Sequence, residues 1–295
     1  MDFQNIVLPY EPSLIEALEG RDAELIVHVN DISEIVPAAD DVLSSRNRLR
    51  SIVVGTDKTL DLLDFSGGWE TIPVILYSPG PGSFKDLQQK FDLIHKLNLR
   101  PLFPADNKEG VVGLQTLSST GFQCGVDFGF ESPNWEALTD LMTYAILMTT
   151  SHANVEPFSY LIENYNPHEF NDWSSVYFDD PKDFLHLDSQ GRAALTYSDL
   201  ASKNFIAENI SEVDSMEVCL QLEEKKRAWR RYFLENLPCS TCEGWRVCLG
   251  KFERLIDKSG LCSAAPFFKE MLDILDQKYF EIDNRDSQPQ QQEMN

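Results

Sequence analysis

The first 150 residues alternate between short β-strand patterns and helical patterns, and this alternation restricts the fold more than any other feature. Successive strand patterns begin about 24 residues apart. Right-handed crossovers through the intervening helices make such strands parallel. Several runs are apolar without alternation, as is typical of strands covered on both faces. The candidate strands are Asn5–Leu8, Glu24–Val29, Ser51–Gly55, Thr71–Tyr77, Arg100–Phe103 and Gln123–Phe128.

Helical patterns lie between these strands. Pro12–Leu18 opens with a proline in the first turn, Ser83–Leu97 begins with a serine N-cap, and Asn134–Met148 is long and amphipathic. Six βα units form either a doubly wound open sheet or an incomplete (βα)6 TIM-like barrel. Since no glycine-rich phosphate-binding motif follows the first strand, we favour the α/β barrel of six units.

The pattern changes after residue 150, and we expect four segments. Residues 1–150 form the partial barrel, and residues 151–182, rich in Asn, Asp, Pro and aromatics, connect it to the C-terminal part of the chain. Residues 183–282 form a small C-terminal domain, and residues 283–295 form a disordered, glutamine-rich tail. Within the C-terminal domain we expect a β-hairpin around Gly191, a helix over 212–236 and a helix over Pro266–Tyr279.

Composition excludes two classes of partner. The chain has 48 acidic and 25 basic residues and a net charge of −23, whereas a nucleic-acid backbone needs a positive surface. The longest apolar runs, such as 141–148, are shorter than the roughly 18–20 residues of a membrane-spanning helix. The N-terminal residues lack a secretory signal pattern, so we expect a cytoplasmic protein.

Four of the six cysteines lie within 24 residues, and their spacing carries the most specific chemistry in the chain. Cys239 and Cys242 form a C-x2-C pair, Cys248 follows after a glycine turn, and Cys262 completes a set of four thiols. Four thiolates suit tetrahedral Zn²⁺ or a [4Fe–4S] cluster, and the spacing does not separate the two. Buried free thiols are the competing interpretation.

The C-x2-C-x5-C pattern followed by a distal cysteine resembles the end of the SPASM domain of radical SAM peptide-modifying enzymes. The architecture of most of the chain and about 80 residues of recognisable sequence carry this resemblance. It implies a radical-SAM-like partial barrel followed by a SPASM-like domain. It also implies that Cys239, Cys242, Cys248 and Cys262 are the metal ligands of an auxiliary-type iron–sulfur cluster.

The departures from the family pattern are equally informative. Radical SAM enzymes carry C-x3-C-x2-C after the first barrel strand, but this chain has no cysteine before Cys124. The next cysteine of the SPASM pattern is replaced by Phe252, and the hairpin region 185–199 has no cysteine. The ligands of the SAM-cleaving cluster and of the first auxiliary cluster are therefore missing, whereas those of the second auxiliary cluster are complete.

The resemblance therefore implies a pseudo-radical-SAM protein that is not an enzyme and uses no S-adenosylmethionine. We expect such a protein to bind a precursor peptide or an active radical SAM maturase in the biosynthesis of ribosomally made peptides. The acidic excess of the chain suits a basic leader peptide or the basic face of a partner, and suits solubility equally well.

An enzyme is the alternative function, since the carboxyl ends of barrel strands form the active face of barrel enzymes. A hydrolase or lyase would use His28 with Asp31 or Asp127 as a general base, and a zinc ion would stabilise the C-terminal domain. A zinc-ribbon interaction module on an α/β domain is a third interpretation. The strand-end residues are Tyr10, His28, Asn30, Asp31, Thr56, Asp57, Ser78, Asp106 and Asp127.

The other two cysteines and a basic run have simpler interpretations. We interpret Cys124 and Cys219 as small buried hydrophobic residues, although Cys219 is close enough in sequence to replace Cys262 as a ligand. We interpret the basic run 225–231 as a solvated helix face paired with nearby acids, and a docking patch for an acidic partner is its alternative.

Overall fold

A computed structural model describes residues 5–129, 132–213 and 216–286, with the backbone alone at 216–219 and 281–286. These residues form one nine-stranded sheet and twelve α-helices. The strands are β1 (Asn5–Pro9), β2 (Glu24–Val29), β3 (Arg48–Gly55), β4 (Val74–Tyr77), β5 (Leu99–Pro104), β6 (Cys124–Asp127), β7 (Val155–Glu156), β8 (Phe184–Leu187) and β9 (Ala193–Ala194). The helices are α1 (Pro12–Ala17), α2 (Ile35–Ser44), α3 (Phe84–Gln88), α4 (Phe91–Ile94), α5 (Lys108–Ser119), α6 (Trp135–Leu147), α7 (Phe158–Asn164), α8 (Tyr197–Ala201), α9 (Met216–Lys226), α10 (Arg230–Leu234), α11 (Trp245–Cys248) and α12 (Ala265–Asp286).

The sheet confirms the α/β class and the parallel arrangement of the first strands. Its order is β7-β6-β5-β4-β3-β2-β1-β8-β9, and every neighbouring pair is parallel except β8 and β9. A doubly wound sheet has a point at which its strand order reverses, but β1 to β7 follow one another without a reversal. In the described residues, β7 and β9 form the two edges of an open sheet.

All six predicted strands are present, because each apolar run is buried in the sheet. The single helix expected over 83–97 is wrong. Ser83 does cap a helix by accepting a hydrogen bond from Asp86 N, but α3 ends at Gln88 and α4 begins at Phe91. At the break, Lys90 Nζ donates to the carbonyl oxygens of Asp61 and Leu63, a tertiary interaction that sequence periodicity cannot show.

The expected hairpin around Gly191 is confirmed. His186 of β8 pairs with Ala194 of β9, and Gly191 turns the chain with φ of 79°. β8 also pairs with β1, so one sheet continues from the first 150 residues into the hairpin. The helix expected over 212–236 is divided into α9 and α10 by a turn at Arg227 and Ala228.

α12 extends through Asp286, beyond the expected helix end at Tyr279. The expectation of a disordered tail over 283–295 stays a prediction, and residues 287–295 lie outside the described residues. The start of the helix is confirmed within one residue, because Phe267, Phe268 and Met271 bury its first turns in the core.

The two faces of the sheet have different coverings. One face packs against the helices in the main apolar core. The opposite face, which we call the inner face, carries a smaller cluster in which Tyr177 and Phe178 pack on the strands. The strand residues of that cluster are Val7, Ile26, Val53, Ile75, Leu102 and Phe184. No helix in the described part of the chain has the length and apolar character needed to cross a membrane.

Candidate metal centre and strand-end residues

The first two cysteines occupy a tight turn opened by a proline. Pro238 begins a short 3₁₀ helix over Pro238–Thr241, where its fixed φ suits the first position. Cys242 N donates to the carbonyl oxygen of Cys239 at 3.2 Å, which brings the two side chains of the C-x2-C pair to one side. Cys239 is buried, and Cys242 is half-buried.

Cys248 ends α11 and is followed by a left-handed turn. Leu249 and Gly250 have φ of 53° and 80°, and this turn directs the backbone N–H groups of Gly250 and Phe252 at the Cys248 thiol. These N–H groups hold the pKa of Cys248 down, but burial outweighs them and the pKa lies above its ordinary value. Such N–H groups stabilise a thiolate, which is the form that binds metal.

A second turn returns the chain to place Cys262 beside the other three cysteines. Asp257 Oδ1 accepts hydrogen bonds from the backbone N–H groups of Ser259 at 2.7 Å and Leu261 at 3.0 Å. This turn lets Cys262 pair with Ile256 in an antiparallel bridge. The thiol of Cys262 then donates to the carbonyl oxygen of Phe252 at 3.7 Å.

The four cysteines line one pocket of about 550 Å³. Burial raises the pKa of Cys239 to about 11, and the charges of Cys248, Cys262 and Cys242 add to this effect because the thiols are close. The apolar walls include Trp245, Phe252, Ile256, Leu261 and Phe268. Over the described residues, no group of three or more His, Cys, Asp or Glu side chains already has metal-ligating geometry. A bound metal would therefore draw the thiols further together within the pocket.

Contacts with the connecting region and with α12 fix the pocket in place. Trp173 Nε1 donates to the carbonyl oxygen of Val247 at 2.9 Å, immediately before Cys248. Lys251 Nζ lies 2.7 Å from Asp172 Oδ1. Gly244 has no room for a side chain, because an added Cβ would lie 2.6 Å from Cβ of Phe268 on α12.

The structure also locates the two cysteines outside this set. Cys124 is completely buried in the main core, with its thiol 3.6 Å from the carbonyl oxygen of Leu114, and burial raises its pKa. This confirms its interpretation as a small buried residue. The side chain of Cys219 lies outside the described residues, so its exchange with Cys262 as a ligand stays a prediction.

The predicted strand-end residues do not form one site. Asn30, Asp31, Thr56 and Asp57 line a pocket of about 580 Å³ above β2 and β3. His28 does not line that pocket. Three others make separate contacts or face solvent. Tyr10 donates to Asp41 Oδ2 at 2.8 Å, Ser78 Oγ donates to the carbonyl oxygen of Lys58 at 2.8 Å, and Asp106 is exposed.

Four polar side chains share the inner face at the carboxyl ends of the strands. They are His28, Tyr77, Asp127 and His186, as the strand register and the alternation of side chains show. Burial lowers the pKa of His28 to about 4, and no carboxylate opposes this effect. Burial also raises the pKa of Asp127, to which the charge of Asp106 adds. The expected pairing of His28 with Asp31 or Asp127 is therefore absent among the described residues.

His186, like Tyr77, is an inner-face residue that the sequence did not single out. It is 1% exposed, its Nε2 lies 3.4 Å from Asp179 Oδ1, and neither ring nitrogen makes a well-aligned hydrogen bond. Tyr197 lies against both His28 and His186, with ring centroids 6.4 Å apart in each pair. The available sequence signal for His186 was a histidine within an apolar strand. The face of the sheet on which its side chain lies, however, is set by the pairing of β8 with β1.

The basic run 225–231 is largely paired with acids. Lys225 Nζ lies 2.8 Å from Asp199 Oδ2, and Lys226 lies 3.2 Å from Glu223. Arg231 pairs with Glu253, a neighbour in space that the sequence interpretation did not name. These contacts agree with a solvated, acid-paired helix face.

Comparison of the chain with protein-family models, with curated proteins and with solved structures gave no match.

Proposed function

We propose that this chain is a non-catalytic pseudo-radical-SAM/SPASM protein of the cytoplasm. It binds a precursor peptide or an active radical SAM maturase during peptide modification, and its SPASM-like region carries one auxiliary-type iron–sulfur cluster. One observation supports this proposal most directly. Cys239, Cys242, Cys248 and Cys262, which lie within 24 residues of sequence, all line one pocket. The consecutive order of β1 to β7 supports an incomplete barrel as the scaffold.

The lining of the pocket is compatible with an iron–sulfur cluster. Its walls are largely apolar and include Phe252 and Phe268, which suit the inorganic core of a cluster. The preference for a cluster over a four-thiolate zinc ion rests on the resemblance to the SPASM domain. When bound, the cluster would supply a structural crosslink and a one-electron redox centre.

The covering of the inner face supports the absence of SAM cleavage. Barrel enzymes bind substrate at the carboxyl ends of their strands. Here Tyr177 packs on the inner-face cluster, and its OH donates to the carbonyl oxygen of Val126 at 2.6 Å, next to the last residue of β6. An aromatic side chain of the chain itself therefore occupies space that a substrate would need. The segment after β1 supplies Tyr10 and Glu11, which are not ligands of an iron–sulfur cluster.

Two experiments test the proposal. The reconstituted protein is incubated anaerobically with S-adenosylmethionine and dithionite, and we expect no 5′-deoxyadenosine; formation by the pure protein contradicts a non-catalytic role. The binding role is tested by selection from an mRNA-displayed library of random peptides. We expect enrichment on immobilised protein, whereas recovery equal to that on bare resin contradicts peptide binding.

A further inference from the structure

Four apolar side chains on and beside α10 are exposed at the surface next to the cysteine pocket. Phe170 is 46% exposed, Phe233 is 42% exposed, and half-buried Trp229 contacts both of them. The ring centroid of Trp229 lies 5.1 Å from that of Phe170 and 5.9 Å from that of Phe233, edge to face in each pair. Leu234, the last residue of α10, is 80% exposed. Exposed apolar side chains that adjoin in this way mark interaction surfaces, and we call these four residues the α10 patch.

The α10 patch continues inward to a side chain that lines the cysteine pocket. The ring of Phe233 packs edge to face against Trp245, with ring centroids 5.3 Å apart, and Trp245 lines the pocket. Trp245 and Cys239 belong to a small apolar cluster that is separate from the main core, and Trp229 packs against this cluster. A molecule bound on the patch would therefore contact the outer side of the cluster that holds Cys239.

α10 also gives the patch a positive charge. Arg230 is exposed, and its guanidinium carbon lies 5.7 Å from the ring centroid of Trp229. Among the described residues no carboxylate lies within 4 Å of the Arg230 side chain, whereas the adjacent Arg231 pairs with Glu253. Because Arg230 and Leu234 are four residues apart, they lie on the same side of the helix. The patch therefore presents an unpaired guanidinium beside exposed apolar side chains.

This combination selects one kind of occupant. Surfaces that carry tryptophan and arginine together are typical of the residues that dominate peptide and protein binding. A carboxylate is the partner that a guanidinium binds best, through two parallel hydrogen bonds. A basic segment would add a second cation beside Arg230. A second copy of the chain, in a two-fold contact through this patch, would place Arg230 opposite its own copy.

We infer that the α10 patch binds a peptide segment in which an aromatic or leucine side chain adjoins a glutamate or aspartate. The apolar side chain packs on Trp229, Phe233 and Leu234, and the carboxylate accepts hydrogen bonds from Arg230. This inference rests on the proposed function and names the chemistry of the peptide. The net charge of −23 favours a basic peptide at long range, but charges beyond about 8 Å are largely screened at physiological salt, so the local charge of α10 decides.

NMR titration of the isotope-labelled full-length protein tests the inference. The probes are three acetylated tripeptide amides: Phe-Glu-Leu, its neutral counterpart Phe-Gln-Leu, and Ala-Glu-Ala, which keeps the carboxylate without the apolar side chains. The reporter is the indole N–H resonance of Trp229, assigned as the one that disappears in Trp229→Phe. We expect Phe-Glu-Leu to bind about fivefold more tightly than Phe-Gln-Leu and about tenfold more tightly than Ala-Glu-Ala.

Two variants of the patch have matched controls elsewhere on the surface. Arg230→Gln should weaken Phe-Glu-Leu binding about fivefold and leave Phe-Gln-Leu binding unchanged. Leu234→Ser should weaken the binding of both peptides about threefold. Lys85→Gln on α3 and Leu43→Ser on α2 remove the same kinds of group from exposed positions, and they should leave both affinities unchanged. None of the four positions is buried, so these substitutions leave the core intact.

The outcomes separate this inference from the proposed function. Equal affinity for Phe-Glu-Leu and Phe-Gln-Leu overturns the pairing of a carboxylate with Arg230. Phe-Glu-Leu binding that is unchanged in both Arg230→Gln and Leu234→Ser overturns the α10 patch but leaves peptide binding by the protein intact. If no probe shifts the Trp229 resonance at millimolar concentration while library peptides are enriched on the protein, the patch is overturned and the proposed function stands. Failure of both experiments contradicts both.

Discussion

The thiol of Cys262 donates a hydrogen bond to the backbone carbonyl of Phe252 at 3.7 Å. The N–H group of the same residue faces the thiol of Cys248, so one peptide segment contacts two of the four candidate ligands. Phe252 occupies the position where the SPASM pattern carries a further cysteine. Its side chain instead packs in the core, 5.1 Å from the ring of Phe268. A packed aromatic residue therefore lies beside the four cysteines.

Metal binding should strengthen as pH rises. Cys239 has a pKa of about 11, so its thiol is protonated at neutral pH and must lose a proton to bind metal. We expect the affinity of the metal-free protein for Co²⁺ to increase continuously between about pH 6 and about pH 9, as followed by thiolate-to-metal absorption. An affinity independent of pH over this range would contradict thiolate ligation.

Gly250 should be intolerant of a side chain for two separable reasons. It has φ of 80°, and an added Cβ would lie 2.5 Å from the hydroxyl of Tyr232. Tyr232 cannot easily move away, because its hydroxyl donates to Glu253 at 2.7 Å. We expect Gly250→Ala to lower the free energy of unfolding by about 2–3 kcal/mol in urea denaturation.

Gly20→Ala is the matched control for that variant. Gly20 has φ of 83°, but an added Cβ would meet no atom within 4 Å. Only the backbone penalty applies there, about 1 kcal/mol. Equal losses in the two alanine variants would show that the approach of Tyr232 to Gly250 is not constraining.

The hydrogen bond from Trp173 to Val247 should stabilise the cysteine turn. Trp173→Phe keeps an aromatic ring but leaves the buried carbonyl oxygen of Val247 without its 2.9 Å donor. We expect a loss of about 1–2 kcal/mol in the free energy of unfolding and weaker metal retention during dialysis. Trp69→Phe removes a buried indole whose Nε1 has no acceptor among the described residues and which lies outside the pocket lining, so it should leave metal retention unchanged. Unchanged metal retention in Trp173→Phe would contradict the anchoring role.

His186 should make the protein sensitive to acid. Burial lowers its pKa to about 4 from 6.5, with His28 adding to the effect and Asp199 opposing it. A depressed histidine pKa means that the neutral form stabilises the fold above pH 6.5, and that this contribution is lost as pH falls toward about 4. His186→Phe should therefore gain about 2 kcal/mol relative to wild type at about pH 5 compared with about pH 8.

Two further neighbours, besides the backbone of Phe178, contribute to the surroundings of His186. Asp179 has its pKa raised to about 6 by burial, so its contribution has the opposite sign and is lost as pH rises through about 6. Tyr197 contacts the imidazole ring. His168→Phe, at an exposed histidine, should show no difference between the two pH values. The same result for His186→Phe would show that its burial does not limit acid stability.

The parts of the fold that sequence predicted are those set by local pattern. The six strands were predictable because each contains a short apolar run that is buried in the sheet. The break between α3 and α4 was not, because it depends on Lys90 reaching the carbonyls of Asp61 and Leu63. Similarly, no local pattern indicates that β8 pairs with β1, a contact between segments far apart in sequence.

The candidate metal site shows the same division. Cysteine spacing predicted which four thiols belong together, and the structure brings all four to one pocket. The strand-end set was only partly predictable, because carboxyl ends place residues at one edge but side-chain alternation decides their face. The side chain of His28 lies on the same face of the sheet as that of His186. Asp31, in contrast, follows the end of β2 and lines the pocket above β2 and β3.

Iron content after anaerobic purification tests the central claim most directly. We expect a brown protein with about four irons per chain and a broad absorption band near about 400 nm. Cys239→Ser should lose the colour, and Thr241→Ala, which changes a neighbour that is not a thiol, should keep it. A colourless protein with no iron, or Cys239→Ser with the iron content of the wild type, would contradict an iron–sulfur cluster on these four cysteines.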